Sequence, residues 1–131
     1  MARELLITVV DDDASIRDTL KDLLESAGFS AATFPDAAAF LNSKQRQSAA
    51  CVVADLRMPG MTGLELHAAM VASGHAIPTI LISAYADDRV RTRALKAGVV
   101  CCLTKPLSAE GLLGCIHEAL ALHKARQIGS A

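Results

Sequence analysis

The chain alternates short apolar runs, rich in β-branched residues, with segments whose apolar residues recur at helical spacing. Such runs predict strands that are buried on both faces, and the spacing between them predicts helices. Because right-handed crossovers place helices on both faces of a parallel sheet, this order predicts an α/β fold with one doubly wound, five-stranded parallel sheet and five helices. The predicted strands are Leu5–Val10, Phe29–Phe34, Cys51–Asp55, Thr79–Ile82 and Val99–Leu103.

Spacing and charge predict where the connections and the later helices lie. Residues 42–48 are polar and lack periodicity, which predicts a surface connection. A charged helix is predicted over Asp87–Lys96, and the last helix begins after an N-cap at Ser108 and keeps its spacing to Leu120. In the third helix His67 is interpreted as a solvated or half-packed residue, not a metal ligand. That helix is predicted because apolar or small residues and His67 recur at helical spacing until Ser73-Gly74, at positions 64, 67, 68, 71 and 72.

Length, charge and cysteine content limit the class of protein. A length of 131 residues fits one domain with a real core. The 13 basic and 14 acidic side chains leave a formal charge of -1, which gives no general reason to expect nucleic acid or a membrane as a partner. The apolar runs are too short to span a membrane. The four cysteines lie in or beside apolar runs without C-x-x-C spacing, which is typical of reduced, mostly buried thiols in a cytoplasmic protein.

The most informative stretch is C-V-V-A-D-L-R-M-P-G-M-T-G, residues 51–63. It begins as a buried strand that ends in the carboxylate of Asp55, and Pro59-Gly60 and Gly63 then break any regular element. In open parallel sheets, ligands bind and chemistry occurs in the loops after the carboxyl ends of the strands. Four of the predicted strands bring polar side chains to that edge, namely Asp11, Asp12, Asp55, Ser83 and Lys105.

Three carboxylates, a hydroxyl and an ammonium at one edge predict phosphoryl chemistry. Clustered carboxylates repel one another, so their ionised forms need a cation, and all-oxygen ligation favours Mg²⁺ over a transition metal. One carboxylate can then attack phosphorus and form an aspartyl phosphate, while Mg²⁺, Lys105 and Ser83 share the charge of the transferred oxygens. Asp55 is the predicted nucleophile because it is the single acid at its strand end, whereas the adjacent acids Asp11 and Asp12 are predicted to bind the metal.

In this order and spacing the motifs resemble response-regulator receiver domains of two-component signalling, from Leu5 to about His123. The matching segments are V-V-D-D at 9–12, D-L-R-M-P-G-M-T-G at 55–63, I-S-A at 82–84, K-A-G at 96–98 and T-K-P at 104–106. The resemblance implies a flavodoxin-like (βα)5 fold of the chemotaxis type with strand order 2-1-3-4-5. The sequence of residues 55–66 most resembles the corresponding segment of receivers that precede a LuxR-type helix-turn-helix domain in transcription regulators.

The resemblance also implies a role for each polar residue at the strand ends. It assigns the phosphoacceptor Asp55, the Mg²⁺ ligands Asp11, Asp12, Asp55 and the backbone carbonyl of Arg57, the switch hydroxyl Ser83 and the active-site lysine Lys105. The proline after that lysine is expected in a cis bond. Asp13 has no such role and is predicted to be the N-cap of the first helix.

One position departs from the family pattern. Three residues before Lys105, receivers usually have Phe or Tyr, whose ring moves inward with the switch hydroxyl, and this chain has Cys102. The pocket for phosphorylation is complete, so the departure concerns the usual aromatic readout. Tyr85, two residues after Ser83, is the nearest aromatic residue that can replace it, and an exposed loop tyrosine without a special role is the alternative.

A receiver implies specific partners. The phosphoryl donor is a histidine kinase or a phosphotransfer protein, the signalling face is built from the fourth helix, fifth strand and fifth helix, and this domain itself is not an enzyme and binds no nucleic acid or membrane. A homodimer on phosphorylation is possible through the charged fourth-helix segment, for which a solvated surface is the alternative. That segment carries Asp87, Asp88, Arg89, Arg91, Arg93 and Lys96.

Three alternatives to this function depend on sequence features. A Mg²⁺-dependent aspartyl phosphatase usually has a second acid two residues after its nucleophile, where this chain has Arg57. A flavin or nucleotide carrier usually has a Gly-rich loop after the first strand, where this chain has three aspartates. With 1–123 as the receiver and 124–131 as a polar tail or linker, the chain fits both a stand-alone regulator and the receiver part of a transcription regulator.

Overall fold

The computed structural model describes residues 5–84 and 88–129 and contains five strands and six helices in these ranges. The strands are β1 Leu6–Val10, β2 Ser30–Phe34, β3 Ala49–Asp55, β4 Thr79–Ser83 and β5 Cys101–Thr104. The helices are α1 Ala14–Ser26, α2 Ala37–Leu41, α3 Gln45–Ser48, α4 Gly63–Ala72, α5 Asp88–Lys96 and α6 Ala109–Gly129.

The strands form one parallel sheet in the order β2-β1-β3-β4-β5, which confirms the predicted fold class and strand order. All seven residues of β3 are buried because helices cover both faces of the sheet. The register pairs Asp55 with Ile82 of β4, and Ser83 with Thr104 of β5. The ends of β1, β3, β4 and β5 therefore meet along one side of the sheet, which we call the carboxyl edge.

The hydrophobic core consists of two layers, one on each face of the sheet. The layer under α1 and α6 includes Leu20, Leu24, Leu112 and Ile116. The layer under α2, α4 and α5 includes Phe40, Leu66, Met70 and Ala94. Cys101 packs against the first layer and Cys102 against the second, which confirms that these neighbours on β5 point to opposite faces.

Side-chain caps determine where the helices next to the carboxyl edge begin. The Asp13 carboxylate accepts hydrogen bonds from Ser15 N at 2.9 Å and Ile16 N at 3.3 Å, which confirms its predicted role as the N-cap of α1. α4 begins with a reciprocal capping box between Thr62 and Glu65, whose two hydrogen bonds are 2.9 and 3.1 Å long. Both caps place a helix directly after a loop of the carboxyl edge.

The predicted helix after Gly63 is present as α4, but the positions whose spacing predicted it are not the side that it buries. The helix buries Leu66, His67 and Met70, while Val71 is 50% exposed. His67 is only 4% exposed, so it is neither solvated nor half-packed. Apolar residues occur on nearly every side of this helix, so their spacing alone does not select a face.

Two further helix predictions differ from the structure. Gln45–Ser48 forms the single turn α3 within the segment predicted to be a surface connection. α6 continues through Gly129, well beyond the end of its apolar spacing at Leu120, because the polar residues that follow are compatible with an exposed helix. All four cysteines are free, as predicted, but only Cys51 is fully buried. Within the described ranges, no helix is both long and apolar enough to cross a bilayer.

Candidate acidic site at the carboxyl edge

Asp55 is the last residue of β3, and both of its carboxylate oxygens are bound by nitrogen donors. Oδ1 accepts a hydrogen bond from the backbone N of Arg57 at 3.0 Å, and Oδ2 accepts one from Lys105 Nζ at 2.9 Å. The residue is 7% exposed. The carboxylate is therefore held in one orientation at the mouth of the carboxyl edge, as a nucleophile requires.

Asp11 follows β1 and is the most deeply buried acid of the site, with 1% exposure. Its Oδ1 accepts a hydrogen bond from Asp13 N at 2.9 Å, whereas its Oδ2 is buried and accepts none from the residues that the structure describes. Burial raises the pKa of Asp11 above its ordinary value of 3.8, the Asp13 N–H lowers it, and the nearby Asp55 carboxylate raises it further. A buried carboxylate oxygen that accepts no hydrogen bond has room for a cation ligand, although Lys105 Nζ lies 3.7 Å away.

Asp11, Asp12 and Asp55 each offer a carboxylate oxygen within 4.8 Å of the others, so the structure brings together the three acids that the sequence placed at this edge. Asp11 and Asp55 are buried and Asp12 is exposed. A group of hard oxygen ligands with one side open to water fits Mg²⁺, which keeps several water ligands. The Oδ2 of Asp11, which is buried and accepts no hydrogen bond, supports the same assignment, because a bound cation would add to the compensation by Lys105, 3.7 Å away.

Lys105 follows β5 and supplies the positive charge of the site. Its Nζ lies 2.9 Å from Asp55 Oδ2 and 3.7 Å from Asp11 Oδ2, and the side chain is 24% exposed. Burial lowers the pKa of Lys105, but the hydrogen bond to Asp55 and the nearby acids outweigh it, so the pKa is raised above 10.5. The Lys105-Pro106 bond is cis, as the resemblance implies. The lysine is thus a fixed ammonium beside two carboxylates.

Ser83 and Arg57 lie where the sequence placed them, beside the acids. Ser83 ends β4 and is 6% exposed, and its carbonyl accepts a 2.8 Å hydrogen bond from Lys105 N. Arg57 follows Asp55 by two residues, and its backbone N binds the Asp55 carboxylate. The predicted roles of the Ser83 hydroxyl and of the Arg57 carbonyl stay predictions.

Of the two residues considered for the role of the family's aromatic switch residue, Cys102 and Tyr85, the structure describes only Cys102. Cys102 is half-buried in β5 and packs against the core layer under α4 and α5. Burial raises the pKa of its thiol, and the nearby Arg91 lowers it. Tyr85 and Asp87 lie outside the described residues. Cys102 therefore lies on the side of the sheet that α4 and α5 cover.

The site also depends on Gly63, which the sequence predicted to break regular structure but which is the first residue of α4 and lies against the end of β3. A Cβ on Gly63 would lie 2.6 Å from the carbonyl oxygen of Asp55 and 2.8 Å from Leu81 Cδ2, so only glycine fits here without displacement. The signal was present in the sequence, because T-G-L-E at 62–65 combines a glycine with a capping box. The first turn of α4 can thus approach the end of β3 closely.

An apolar groove adjoins the acidic site, which the sequence did not predict. It has a volume of about 440 Å³ and lies between α1 and the loop after β5. Lys105 borders both the groove and the acidic site. The apolar side chains of its lining are Ile16, Leu20, Leu23, Pro106 and Leu107.

Comparison with known proteins decides what kind of domain this is. Residues 7–117 match the family model of the response regulator receiver domain. The chain belongs to that family. The receiver is 39% identical over 120 residues to the response regulator protein TodT of Pseudomonas putida, which covers 92% of the receiver chain and 53% of TodT.

Two further relatives support the same family. The transcriptional regulatory protein FixJ of Bradyrhizobium diazoefficiens is 41% identical to the receiver over 114 residues, covering 87% of the receiver chain and 56% of FixJ. The solved structure of the response regulator StyR superposes with a TM-score of 0.90 at 39% identity, covering 98% of the receiver chain and 65% of that chain. The receiver chain spans about half the length of the two curated relatives.

Proposed function

We propose that the receiver accepts a phosphoryl group at Asp55 from a histidine kinase or a phosphotransfer protein, in a cytoplasmic two-component phosphorelay. One observation carries the proposal. Asp55 lies between the Lys105 ammonium, 2.9 Å away, and the carboxylates of Asp11 and Asp12, whose oxygens are within 4.8 Å. The Asp55 carboxylate therefore lies next to an ammonium that can neutralise phosphoryl oxygens and next to a group of acids that can bind Mg²⁺. The four free thiols support a reducing compartment.

The transfer exchanges one bond to phosphorus for another. An Asp55 carboxylate oxygen forms a bond to phosphorus while the P–N bond of the donor's phosphohistidine breaks, and the departing imidazole takes up a proton. Lys105 moves from the free carboxylate to a phosphoryl oxygen, and the Ser83 hydroxyl donates to another. The Arg57 N–H keeps Asp55 oriented during the attack. Asp11, Asp12, Asp55 and the Arg57 carbonyl would hold Mg²⁺, which would supply charge neutralisation for the transfer.

The apolar groove beside Lys105 is the surface on which we propose that the donor docks. The donor has to hold its phosphohistidine against Asp55, and this groove is an apolar surface that shares Lys105 with the acidic site. Ile16→Asp should slow transfer from a donor protein, because it places a charge where apolar surface must be buried. Labelling by acetyl phosphate should be unchanged. A loss of both activities would locate the defect in the acidic site instead.

The direct test of the proposed function is chemical. With acetyl phosphate and Mg²⁺, the protein should gain one hydrolytically labile phosphate, and Asp55→Asn should abolish the gain. Asp22→Asn removes an exposed acid of α1 and is the matched control, which should label like the wild type. Labelling that survives Asp55→Asn, or that is unaffected by EDTA, would contradict the assignment.

An aspartyl phosphatase is the rival with the same first step. Phosphatase turnover needs a second acid close to the nucleophile, and the exposed Arg57 occupies that position. Under excess acetyl phosphate the receiver should stop at one phosphate per chain and release it slowly. Sustained release of many phosphates per chain would favour the phosphatase.

The output proposed for the receiver is a change in the face made of α5, β5 and α6. Ser83 lies opposite Thr104 in the register of β4 and β5, so β5 is the strand that a movement at the end of β4 would reach first. The basic residues of α5 are proposed to pair with a second copy after phosphorylation, with a solvated surface as the alternative. Light scattering with and without a beryllofluoride phosphate mimic distinguishes them, since an unchanged mass at high concentration argues against dimerisation.

We propose further that this receiver regulates transcription through a longer protein, with 1–123 as the receiver and 124–131 as the start of a linker. The name of FixJ as a transcriptional regulatory protein and the half-length coverage of the curated relatives support this proposal. A stand-alone regulator is the alternative. The reading frame beyond codon 131 decides between them, because a stop codon there contradicts the transcription regulator.

A further inference from the structure

Arg17, near the beginning of α1, contacts the acidic site through the backbone. Its Nη1 donates a 2.7 Å hydrogen bond to the carbonyl oxygen of Asp11, and the side chain is half-buried. Among the described residues, the ion pairs of this site are both made by Lys105. Arg17 therefore acts on the position of Asp11, and Lys105 provides the neutralising charge.

The carbonyl that Arg17 binds belongs to a loop that is fixed at several points. Asp11 N donates to Phe34 O at 3.1 Å, and Asp11 Oδ1 accepts from Asp13 N at 2.9 Å. Arg17 N in turn donates to Asp13 O at 3.0 Å, so the same residue binds this loop through its backbone and its guanidinium. These bonds occupy the main chain of Asp11 and its Oδ1, which leaves Oδ2 as the carboxylate oxygen without a hydrogen bond from the described residues.

Holding Asp11 in this orientation costs free energy. The buried Oδ2 of Asp11 accepts no hydrogen bond, and the Asp55 and Asp12 carboxylates repel it while Lys105 attracts it from 3.7 Å, so we expect a loosened loop to let Asp11 turn toward water. The guanidinium opposes that rotation because its planar N–H groups bind in a fixed direction. Hydrogen bonds to a ligating side chain typically change metal affinity by about 10–100-fold, and a bond to the backbone of the ligand residue is expected at the lower end of that range.

We propose that Arg17 is a positioning residue of the Mg²⁺ site, which holds the Asp11 carboxylate toward Asp55 by binding the Asp11 carbonyl. The inference rests on the proposed function, in which Asp11, Asp12 and Asp55 hold Mg²⁺. It adds a residue of α1 that touches neither the metal nor the phosphoryl group. A purely structural arginine would stabilise the fold without changing the affinity for Mg²⁺.

The test measures Mg²⁺ binding by calorimetry on the unphosphorylated protein, together with the melting temperature in EDTA. Arg17→Met keeps most of the side-chain volume and removes the donors, and we expect the Kd for Mg²⁺ to rise about tenfold. Arg17→Lys retains one donor and should restore part of the affinity. Lys21→Met is the matched control, because it removes an exposed cation from the same helix and should bind Mg²⁺ like the wild type.

The outcomes separate this inference from the proposed function. Unchanged Mg²⁺ affinity in Arg17→Met overturns the role of Arg17 and leaves the proposed function standing. An equal rise of Kd in Lys21→Met also overturns it, since the effect would then be one of overall charge. If Arg17→Met does not fold, Arg17→Gln is measured in its place, with the same criterion. A wild-type protein that binds no Mg²⁺ overturns the proposed function and this inference with it.

Discussion

Lys105 Nζ donates a 2.9 Å hydrogen bond to Asp55 Oδ2 across β4, which lies between the strands that end at the two residues. The same ammonium is 3.7 Å from Asp11 Oδ2. One lysine from the edge strand thus compensates acids from β1 and β3, and it is the charge that lets these acids lie close together without a metal. Its removal should therefore affect stability and metal binding in opposite directions.

We predict that Lys105→Met lowers the free energy of unfolding in EDTA by about 1–3 kcal/mol, because it leaves buried carboxylates uncompensated. The pKa of Lys105 is raised above 10.5, so the stabilisation is present at neutral pH and is lost only as the pH rises through the folded-state pKa. Mg²⁺ should bind Lys105→Met more tightly, since no ammonium competes for the acids. Urea unfolding with EDTA or Mg²⁺ measures both effects.

The matched control for this variant is Lys44→Met, which removes an exposed lysine distant in sequence from the acids. It should change the free energy of unfolding by less than about 0.5 kcal/mol in both media. If Lys105→Met is as stable as Lys44→Met in EDTA, the lysine does not compensate the acids as argued.

Asp11→Asn should stabilise the metal-free protein. The folded state raises the pKa of Asp11 above 3.8, so it disfavours the charged form, and stability is lost as the pH rises through the folded-state pKa. In EDTA at neutral pH we expect the free energy of unfolding of Asp11→Asn to exceed that of the wild type by about 1–3 kcal/mol. The gain should shrink as the pH falls toward 3.8, where the wild-type acid becomes protonated in both states.

In Mg²⁺ the wild type should become more stable than Asp11→Asn. Binding to the folded state stabilises the wild type in proportion to the logarithm of the Mg²⁺ concentration above its Kd, whereas Asp11→Asn has lost a ligand. Thermal unfolding over a Mg²⁺ titration measures the crossing. A variant that is less stable than the wild type in EDTA at neutral pH would show that the Asp11 carboxylate contributes favourable contacts to the metal-free fold.

Gly63→Ala should disturb the acidic site from the neighbouring helix. The added Cβ would lie 2.6 Å from the Asp55 carbonyl oxygen, so α4 or the end of β3 has to move. We expect a loss of about 1–3 kcal/mol in unfolding free energy and slower labelling of Asp55, since small displacements of a reacting group are costly. At Gly114, in α6, an added Cβ meets no described atom within 4 Å, so Gly114→Ala should leave labelling unchanged. Equal labelling rates in the two variants would refute the close-approach argument.

The fold was predictable because its signals are local and repeated. Five apolar runs gave the strands, and the polar residues after them gave the acids that the structure brings within 4.8 Å. The burial of α4 was not predictable from spacing, because its apolar residues surround the helix and the buried side is set by packing on β4 and by the cap at Thr62. Helix α3 and the end of α6 carry few apolar residues, so spacing predicts neither.

The parts of the site that the sequence did not predict depend on contacts between distant residues. Arg17 acts through a carbonyl six residues earlier, and Gly63 through a close approach to Asp55. Neither contact has a charge pattern that a sequence reader would recognise. The groove beside Lys105 likewise exists only because α1 packs next to the loop after β5. Motifs identify the groups that carry the chemistry, and packing determines what orients them.

Because position 102 holds Cys and not an aromatic residue, we predict that substitutions there change the signalling face without changing the phosphorylation of Asp55. Cys102 is half-buried and packs against the core layer under α4 and α5, so we expect its size to affect the signalling face more than the chemistry at Asp55. Cys102→Phe and Cys102→Tyr should change partner affinity or dimerisation while labelling by acetyl phosphate stays within a few-fold. Cys101→Ala, on the opposite face of β5, is the control. If both aromatic variants abolish labelling, or if Cys102→Ala alters it strongly, Cys102 belongs to the acidic site and the separation is wrong.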